Sequence, residues 1–407
     1  MTYEVYEKTM KRKKLWLISE VFYPDIEIAT GNIATEIALK FSEKYDVHII
    51  CGPVGYEKKN DDYSEDVLAE NVFIHRVKHF NYDKNNKVKR VIRVIGISMI
   101  MFIIGFKIRQ NDKVFVISNP AFIVPFFAIL KWLKKFEFTL LMHDVFPENL
   151  IPGGYLKETD WLYKFLESVF KHSRSKAKII AVLGRDMQHL IQRKLPANSK
   201  TKTIIIPNWA DIENVFPVPS YESNLAPRKL VVQFAGNHGV LQNLTEFLKI
   251  IERIKNPEIK FVFAGSGALK EKLITYAKNA NLNNVAFHNA FPRSELNKYM
   301  NNCDIGIVSL SNSLYGVGVP SKSYNISAAG KPIIFFGNLK TEIAMFVVEN
   351  SIGWAFSYDE PLKIVDFFNN LNMKDISYLR KIGKHAREVV KKGYSKEIVL
   401  QKLFDSV

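Results

Sequence analysis

The order of apolar runs and polar loops along the chain predicts two successive series of alternating strands and helices. The apolar run at 15–18 is a first strand, apolar residues recur at helical spacing from about Asn32, and the run at 47–53 is a second strand. A strand, a helix and a strand in this order imply a parallel sheet that binds ligands at the carboxyl ends of its strands. The loop after the first strand lacks the GxGxxG pattern, which argues against a nicotinamide or flavin cofactor.

A proline-rich segment separates the two series. Residues 206–220 contain three prolines, and the strand and helix patterns stop before this segment and resume after it, as expected of a linker. The sequence therefore predicts an α/β protein with two Rossmann-like domains that face a cleft. We place the N-terminal domain at 1–205 and the C-terminal domain at 221–385.

Polar side chains follow the apolar run at 138–142, where a further strand of the first series ends. His143 and Asp144 come directly after this run, and Glu148 lies close behind them. Residues at the carboxyl end of a parallel strand line the ligand crevice. His143 and Asp144 together favour a functional role, and a hydrogen-bonded core histidine is the alternative.

A glycine-rich turn precedes a short predicted helix in the second series. Gly316 and Gly318 let the backbone approach a ligand, and Pro320 and Ser321 can open the helix. Free N–H groups at such a helix start attract anions, and Lys322 in the first turn opposes the helix dipole unless a negative group is nearby. The pattern predicts a phosphate-binding loop. Its alternative is an ordinary turn with a solvated lysine.

The chain is strongly basic, with a formal net charge of +16 at pH 7 and an isoelectric point near 9.5. This charge suggests nucleic acid, an anionic membrane or a phosphate-bearing substrate, although a lysine-rich solvated surface would explain it equally well. The basic residues are not set in a recognisable nucleic-acid-binding module, so no nucleic acid is expected as a partner. Cys51 and Cys303 lie in or beside apolar runs and are predicted to be buried in a reducing compartment. No signal peptide is visible, so a cytosolic location is expected.

Two segments combine apolar and basic residues. The segment at 84–109 places basic residues, Arg93 among them, before a dense apolar run that is too short to span a membrane. The segment at 122–136 combines Trp132, Phe122, Phe126 and Phe127 with lysines. Both suit helices that lie on an anionic bilayer, and burial in the core is the alternative. We expect peripheral attachment to the inner face of the cell membrane.

Seven motifs are spread over nearly the whole chain: TGNIATEIALKFSEKYDVHII, HDVFPE, IIIPNWAD, VVQFAGNHG, KFVFAGSGALKEKL, NAFPRSELNKYMNNCDIGIVSL and VPSKSYNISAAGKPII. In this order they resemble the motifs of GT-B glycosyltransferases. They are most similar to the motifs of the retaining family that contains the bacterial polysaccharide transferases of the WbuB type.

The resemblance implies that the N-terminal domain binds the acceptor, that the C-terminal domain binds a nucleotide-sugar donor, and that a last helix at 386–407 crosses back to the first domain. It implies transfer with retention at the anomeric carbon, without a metal, a cofactor or an obvious protein nucleophile. UDP-sugars are favoured as donors. The implied acceptor is a lipid-linked saccharide or polysaccharide in O-antigen, capsule or exopolysaccharide biosynthesis.

The family's site residues carry over to matching positions of this chain. His143, with Asp144 beside it, matches the histidine near the transferred sugar. The other matches are predicted to contact the donor, with the first of them near the donor phosphates or the acceptor: Gly31, Gly236, Asn237, His238, Gly265, Ser266, Gly267, Phe291, Pro292, Gly318, Val319, Pro320, Ser321, Lys322 and Asn325.

Some positions depart from the family pattern. Val317 and Asn325 stand where many members have glutamates, and the second glutamate commonly binds the ribose hydroxyls. Asn325 keeps hydrogen-bonding capacity without charge. Asn237 and His238 stand where other branches have an arginine, which assigns phosphate neutralisation to Lys322, backbone N–H groups and His238. Two alternatives to a transferase follow: a catalytically weak relative that binds a nucleotide or membrane as an assembly partner, and a UDP-sugar 2-epimerase.

Overall fold

In a computed structural model of the chain, residues 12–54, 68–78, 87–218 and 229–407 are described, except for the side chains of residues 87, 88 and 90. The first residues of the basic segment predicted at 84–109 therefore lie outside the description. So do the end of the predicted linker and the start of the predicted C-terminal domain.

Within the described ranges, seven strands form the first sheet: β1 (Lys14–Ser19), β2 (Asp46–Cys51), β3 (Val72–Arg76), β4 (Lys113–Ile117), β5 (Glu137–Met142), β6 (Ile179–Val182) and β7 (Lys202–Ile205). Their order is β3-β2-β1-β4-β5-β6-β7, and every neighbouring pair is parallel. Each connecting helix must return the chain to the start of the next strand. The N-termini of these helices therefore lie at the carboxyl edge of the sheet.

The described residues of this half contain five α-helices: α1 (Ala29–Ser42), α2 (Lys87–Gly105), α3 (Ile123–Lys134), α4 (Trp161–Arg174) and α5 (Arg185–Lys194). The first helix begins three residues before the predicted Asn32. The fifth was not predicted, because its few apolar residues lie among charged ones and give a weak periodic signal.

The structure corrects the prediction that Arg93 of α2 belongs to a membrane-facing basic segment. Its side chain is buried, and Nη1 donates a hydrogen bond to Glu20 Oε1 at 2.7 Å. Glu20 follows β1 at the carboxyl edge of the sheet. Arg93 therefore fixes α2 to this edge, and its charge is already balanced inside the protein.

In the part of the chain that the structure describes, six strands form the second sheet: β8 (Leu230–Ala235), β9 (Ile259–Ala264), β10 (Val285–His288), β11 (Ile305–Ser309), β12 (Ile333–Phe336) and β13 (Gly353–Phe356). Their order is β10-β9-β8-β11-β12-β13, again with parallel neighbours. All residues of β11 and β12 are buried, as expected of central parallel strands with helices on both faces. The predicted α/β class with two parallel sheets is confirmed.

In residues 229–407, eight α-helices accompany this sheet or follow it: α6 (Leu244–Ile251), α7 (Lys270–Asn279), α8 (Leu296–Asn301), α9 (Lys322–Ala328), α10 (Glu342–Glu349), α11 (Pro361–Asn370), α12 (Ile376–Gly393) and α13 (Lys396–Ser406). The single helix predicted at 386–407 is in fact the end of α12 followed by a separate α13. Helix α13 packs against α1, and Lys396 Nζ lies 3.4 Å from Glu36 Oε2. The last helix thus contacts the first half of the chain.

Arg185, at the start of α5, links the two halves through carboxylates of α10. Its backbone N–H and Nε donate to Glu342 Oε2 at 2.7 and 3.0 Å, and Nη1 donates to Glu349 Oε2 at 2.8 Å. Glu342 is buried, so its carboxylate depends on these partners. The two sheets are therefore held with their carboxyl edges facing one cleft.

Candidate active site in the cleft between the two sheets

The loops at the carboxyl edges of both sheets carry the predicted site residues. In the second sheet, β10, β9, β8 and β11 are neighbours, so the loops that follow them lie side by side. These loops contain the predicted donor-binding residues of the C-terminal half. The loop after β5 in the first sheet brings His143 and Asp144 to the same cleft.

The two sheets meet at Asp144 and Gly318, which form an antiparallel bridge. Beside it, the Val145 N–H donates to the Val317 carbonyl oxygen at 3.1 Å, and Asn208 Nδ2 donates to the Val319 carbonyl oxygen at 3.2 Å. The first half of the chain therefore fixes the backbone of the predicted phosphate loop. This contact also sets the predicted sugar-binding residue beside that loop.

Lys322 carries an uncompensated charge at this position. Its Nζ lies 3.4 Å from the centroid of the Phe234 ring, and a β-carbon at Gly236 would lie 3.6 Å from it. The residue is only partly buried by surface area, but protein atoms surround its ammonium group, and this burial lowers the pKa of Lys322 to about 7. Within the described residues no carboxylate pairs with Lys322. An anion in the cleft would stabilise its charged form.

Glycines allow the loops after β8 and β9 to touch. A β-carbon at Gly265, where φ is +145°, would lie 1.9 Å from the Gly236 carbonyl oxygen, and one at Gly267 would lie 2.5 Å from Asn237 Oδ1. No side chain fits these positions. Asn237 and Ser266 are exposed at the loop tips, so both can reach a ligand in the cleft. The glycines themselves serve first to hold the two loops together.

The position of the His238 side chain argues against the prediction that it neutralises a phosphate. The imidazole is fully buried near Phe234 and Phe287, at ring-centroid distances of 5.8 and 6.4 Å. Burial, and after it the charges of Lys270 and Lys322, lowers the pKa of His238 to about 4. The ring is therefore neutral at pH 7 and faces the protein interior. The prediction of phosphate neutralisation then rests on Lys322 and on backbone N–H groups.

His143 and Asp144 have perturbed pKa values at the end of β5. The His143 backbone N–H donates to Ser118 Oγ at 3.0 Å, while the buried Nε2 has no hydrogen-bond partner among the described residues. Burial lowers the pKa of His143 to about 4, so the imidazole is neutral at pH 7. Asp144 is exposed to the cleft by surface area, yet the protein atoms crowded around its carboxylate raise its pKa. Clustered perturbed groups in a cleft are typical of active sites.

Asp211 links two predicted contact regions, and its role was not anticipated. Its backbone N–H donates to Asn325 Oδ1 at 3.2 Å, and its carboxylate accepts from Arg293 Nη2 at 3.3 Å. The Asn325 amide oxygen is thus already bound to the linker. The motif IIIPNWAD contains Asp211, but nothing in the sequence shows that it meets Arg293. Beside Arg293, the predicted Phe291 stacks on Tyr299 with ring centroids 3.9 Å apart, and Pro292 is exposed.

Close packing explains why position 31 is a glycine. It lies in the first turn of α1, and a β-carbon there would lie 2.3 Å from the Asp25 carbonyl oxygen and 2.9 Å from Val21 Cγ1. The glycine lets the loop after β1 pack directly on the helix. A ligand contact at Gly31 stays a prediction.

The sequence and the fold are similar to those of known proteins. The family described as "Glycosyl transferases group 1" matches residues 221–389. WbjE of Pseudomonas aeruginosa, named a probable glycosyltransferase, is 32% identical over 332 residues that span 79% of this chain and 82% of the relative. The chain belongs to the group 1 glycosyltransferases.

Further comparisons agree with this family. WcaI of Escherichia coli K12, named for colanic acid biosynthesis, is 22% identical over 56% of each chain. Two solved structures share the fold at 14% identity: sucrose-phosphate synthase of Thermosynechococcus elongatus, with a TM-score of 0.74 over 97% of this chain and 98% of the other, and HepE of Anabaena in complex with UDP, with a TM-score of 0.66 over 97% and 99%. This group 1 glycosyltransferase therefore has the GT-B fold and is related to enzymes of polysaccharide biosynthesis.

Proposed function

We propose that this group 1 glycosyltransferase moves a sugar, with retention of anomeric configuration, from a nucleotide-diphosphate sugar to a lipid-linked saccharide or polysaccharide of the cell surface. The observation that carries the proposal is the uncompensated ammonium group of Lys322 beside Gly236, at the point where Asp144 and Gly318 join the two sheets. A diphosphate at this point would meet a cation, free backbone N–H groups and the loop that carries His143.

A nucleotide diphosphate fits the chemistry of the second sheet's edge. The exposed Asn237 and Ser266 offer polar groups on the touching loops after β8 and β9. The loop at Phe291 and Pro292 lies two strands away from β8, where a base could rest. A UDP-sugar is the favoured donor, since HepE, which shares this fold, binds UDP.

Transfer requires stabilisation of the charge that develops on the leaving diphosphate. In the proposed reaction an acceptor hydroxyl attacks the anomeric carbon while the bond to the diphosphate breaks, and a donor phosphate oxygen takes the hydroxyl proton. Lys322 stays protonated beside the diphosphate and stabilises it. Neutral His143 forms a hydrogen bond with the transferred sugar through Nε2 and orients it.

Peripheral membrane attachment is part of the proposal, because a lipid-linked acceptor lies at a bilayer. Helices α2 and α3 expose apolar side chains, among them Ile103 and Trp132. Residues 87–136 contain one acidic side chain, Asp112, among many lysines and arginines, a balance that favours an anionic surface. None of the helices in the described part of the chain is both long and apolar enough to cross a membrane.

Thermal shift with a panel of nucleotide diphosphates and their sugars tests the donor. Stabilisation by UDP and one UDP-sugar is expected, and a panel without effect would contradict the proposal. Proton NMR of slow donor hydrolysis then separates the alternatives. A sugar released first as the same anomer as in the donor indicates retention, whereas formation of a 2-epimer of the donor indicates an epimerase. Donor binding without turnover, even with added acceptor, indicates an inactive relative.

A further inference from the structure

Exposed apolar side chains on α2, α3 and α4 form two groups at opposite edges of one helix layer, and Met99 of α2 lies along the helix between them. These helices pack side by side, α2 on α3 and α3 on α4. The far-edge group lies where α2 and α3 end: Ile103, Phe106, Ile129, Trp132 and Leu133. The cleft-edge group lies at the start of α4, in the loop before it and near the start of α2: Val91, Ile92, Tyr155, Trp161, Leu162 and Phe165.

The topology places the cleft-edge group beside the proposed reaction centre. The loop that begins with His143 at the end of β5 leads directly into α4, so Trp161 lies at the carboxyl edge of the sheet. A buried ion pair fixes this helix to the loop: Arg174 Nη2 donates to Glu148 Oε1 at 3.4 Å, and Arg174 Nη1 donates to the Phe146 carbonyl oxygen at 3.3 Å. The position of α4 therefore determines the position of the His143 loop.

Both tryptophans of the layer stand out by their exposure. Trp161 is 78% exposed and Trp132 is 73% exposed, more than any other large apolar side chain in the described residues. Tryptophan is enriched where proteins meet the interfacial region of a bilayer, since its ring is apolar and its N–H is polar. Exposed cations such as Lys135 at the far edge match an anionic lipid surface. At the cleft edge Lys164 is accompanied by the exposed Glu158 and the partly exposed Asp160, so the contact there is mainly apolar.

We propose that the cleft-edge group inserts into the interfacial region of an anionic bilayer and holds the mouth of the cleft at the membrane surface, with the far-edge group in contact with the same bilayer. This inference rests on the proposed function, because a lipid-linked acceptor needs such an arrangement. It goes further in adding α4, for which no membrane contact was predicted from the sequence. It also makes apolar insertion beside the cleft the decisive contact. Binding should accordingly keep a large part of its strength at high salt.

Tryptophan fluorescence with brominated lipids tests the contact directly, since bromine on the acyl chains quenches only tryptophans that reach them. The full chain is mixed with phosphatidylglycerol and phosphatidylcholine vesicles, with the phosphatidylcholine brominated or not. Trp161→Phe and Trp132→Phe should each remove part of the quenching seen in the unchanged protein. Trp354→Phe, in a half-buried position of the second sheet, is the matched control and should remove none.

Vesicle sedimentation supplies a second measurement with matched variants. Phe165→Ser should weaken binding by about tenfold, as expected when a phenylalanine leaves an apolar environment, whereas Leu362→Ser, equally exposed on α11, should leave it unchanged. Quenching of Trp132 but not of Trp161 would overturn the inference. The inference would also be overturned if the protein did not bind vesicles and instead formed a dimer in solution that Phe165→Ser dissociates. Calorimetry with UDP on the same proteins shows separately whether the donor part of the proposed function fails.

Discussion

Asp144 and Gly318 form a backbone bridge between a loop of the first sheet and a loop of the second. A β-carbon on Gly318 would lie 3.3 Å from Asp144 Oδ1, so the glycine allows the close approach. The bridge sets the distance between the predicted sugar-binding residue and the predicted phosphate loop. The chemistry proposed for this cleft therefore requires both halves of the chain.

Replacement of His143 by alanine should depress turnover of the donor sugar and leave nucleotide diphosphate binding intact. The buried Nε2 atom is not used by the described protein residues, so its removal takes away a contact to the sugar and no internal hydrogen bond. We expect the turnover number to fall by about tenfold to a hundredfold, the effect of one lost hydrogen bond in the transition state. Steady-state kinetics together with UDP calorimetry measure this. Loss of UDP binding, or unfolding, would show that the histidine is structural.

Gly265→Ala should destabilise the second half of the chain by about 3 kcal/mol, because alanine would bring a β-carbon into the Gly236 carbonyl oxygen at a φ of +145°. Gly393→Ala is the control: nothing lies within 4 Å of its position, and α12 ends there. That variant should be neutral or slightly stabilising. Urea unfolding measures both. Equal stability of the two variants would mean that the loops after β8 and β9 can separate at little cost.

The free energy of unfolding should decrease as the pH falls from 6.5 towards 4. Burial lowers the pKa values of His48, His143 and His238 from 6.5 to about 4 in the folded protein. Between these values the unfolded chain binds more protons than the folded one, so stability is present above pH 6.5 and is lost as the pH falls through the window. Urea unfolding at stepped pH checks the direction, and His238→Phe should show a smaller dependence. A stability that is flat from pH 6.5 to 4.5 would contradict these pKa shifts.

Much of the fold was predictable, because its signals are local. The buried strands at Leu15, Phe115 and Ile307 are apolar runs between polar loops, and the first helix begins within three residues of the predicted Asn32. The glycine turn before Lys322 was visible for the same reason. Parallel strand order then follows from the helices between the strands.

Other features could not be predicted, since they depend on contacts between distant parts of the chain. From the sequence alone Arg93 is predicted to be a membrane-facing cation, because its partner Glu20 is 73 positions away. Loop position alone suggested His238 as a phosphate ligand, whereas packing near Phe287 buries it. Helix α5 has too few apolar residues for a clear period, and Arg185 instead fixes it through the carboxylates of α10.

Calorimetry of UDP binding to the unchanged protein and to Lys322→Ala tests the central claim most directly, with Lys260→Ala as an exposed matched control on β9. The claim is that the cleft between the two sheets binds a nucleotide diphosphate through Lys322. Loss of the ammonium group should weaken binding by about 2–3 kcal/mol, the range for a hydrogen bond to a charged group, with the fold and the control unchanged. Because the pKa of Lys322 is about 7 without a ligand, binding should also take up protons above that pH in the unchanged protein and not in the variant. Equal affinity of Lys322→Ala and the unchanged protein, or no UDP binding by either, would contradict the account.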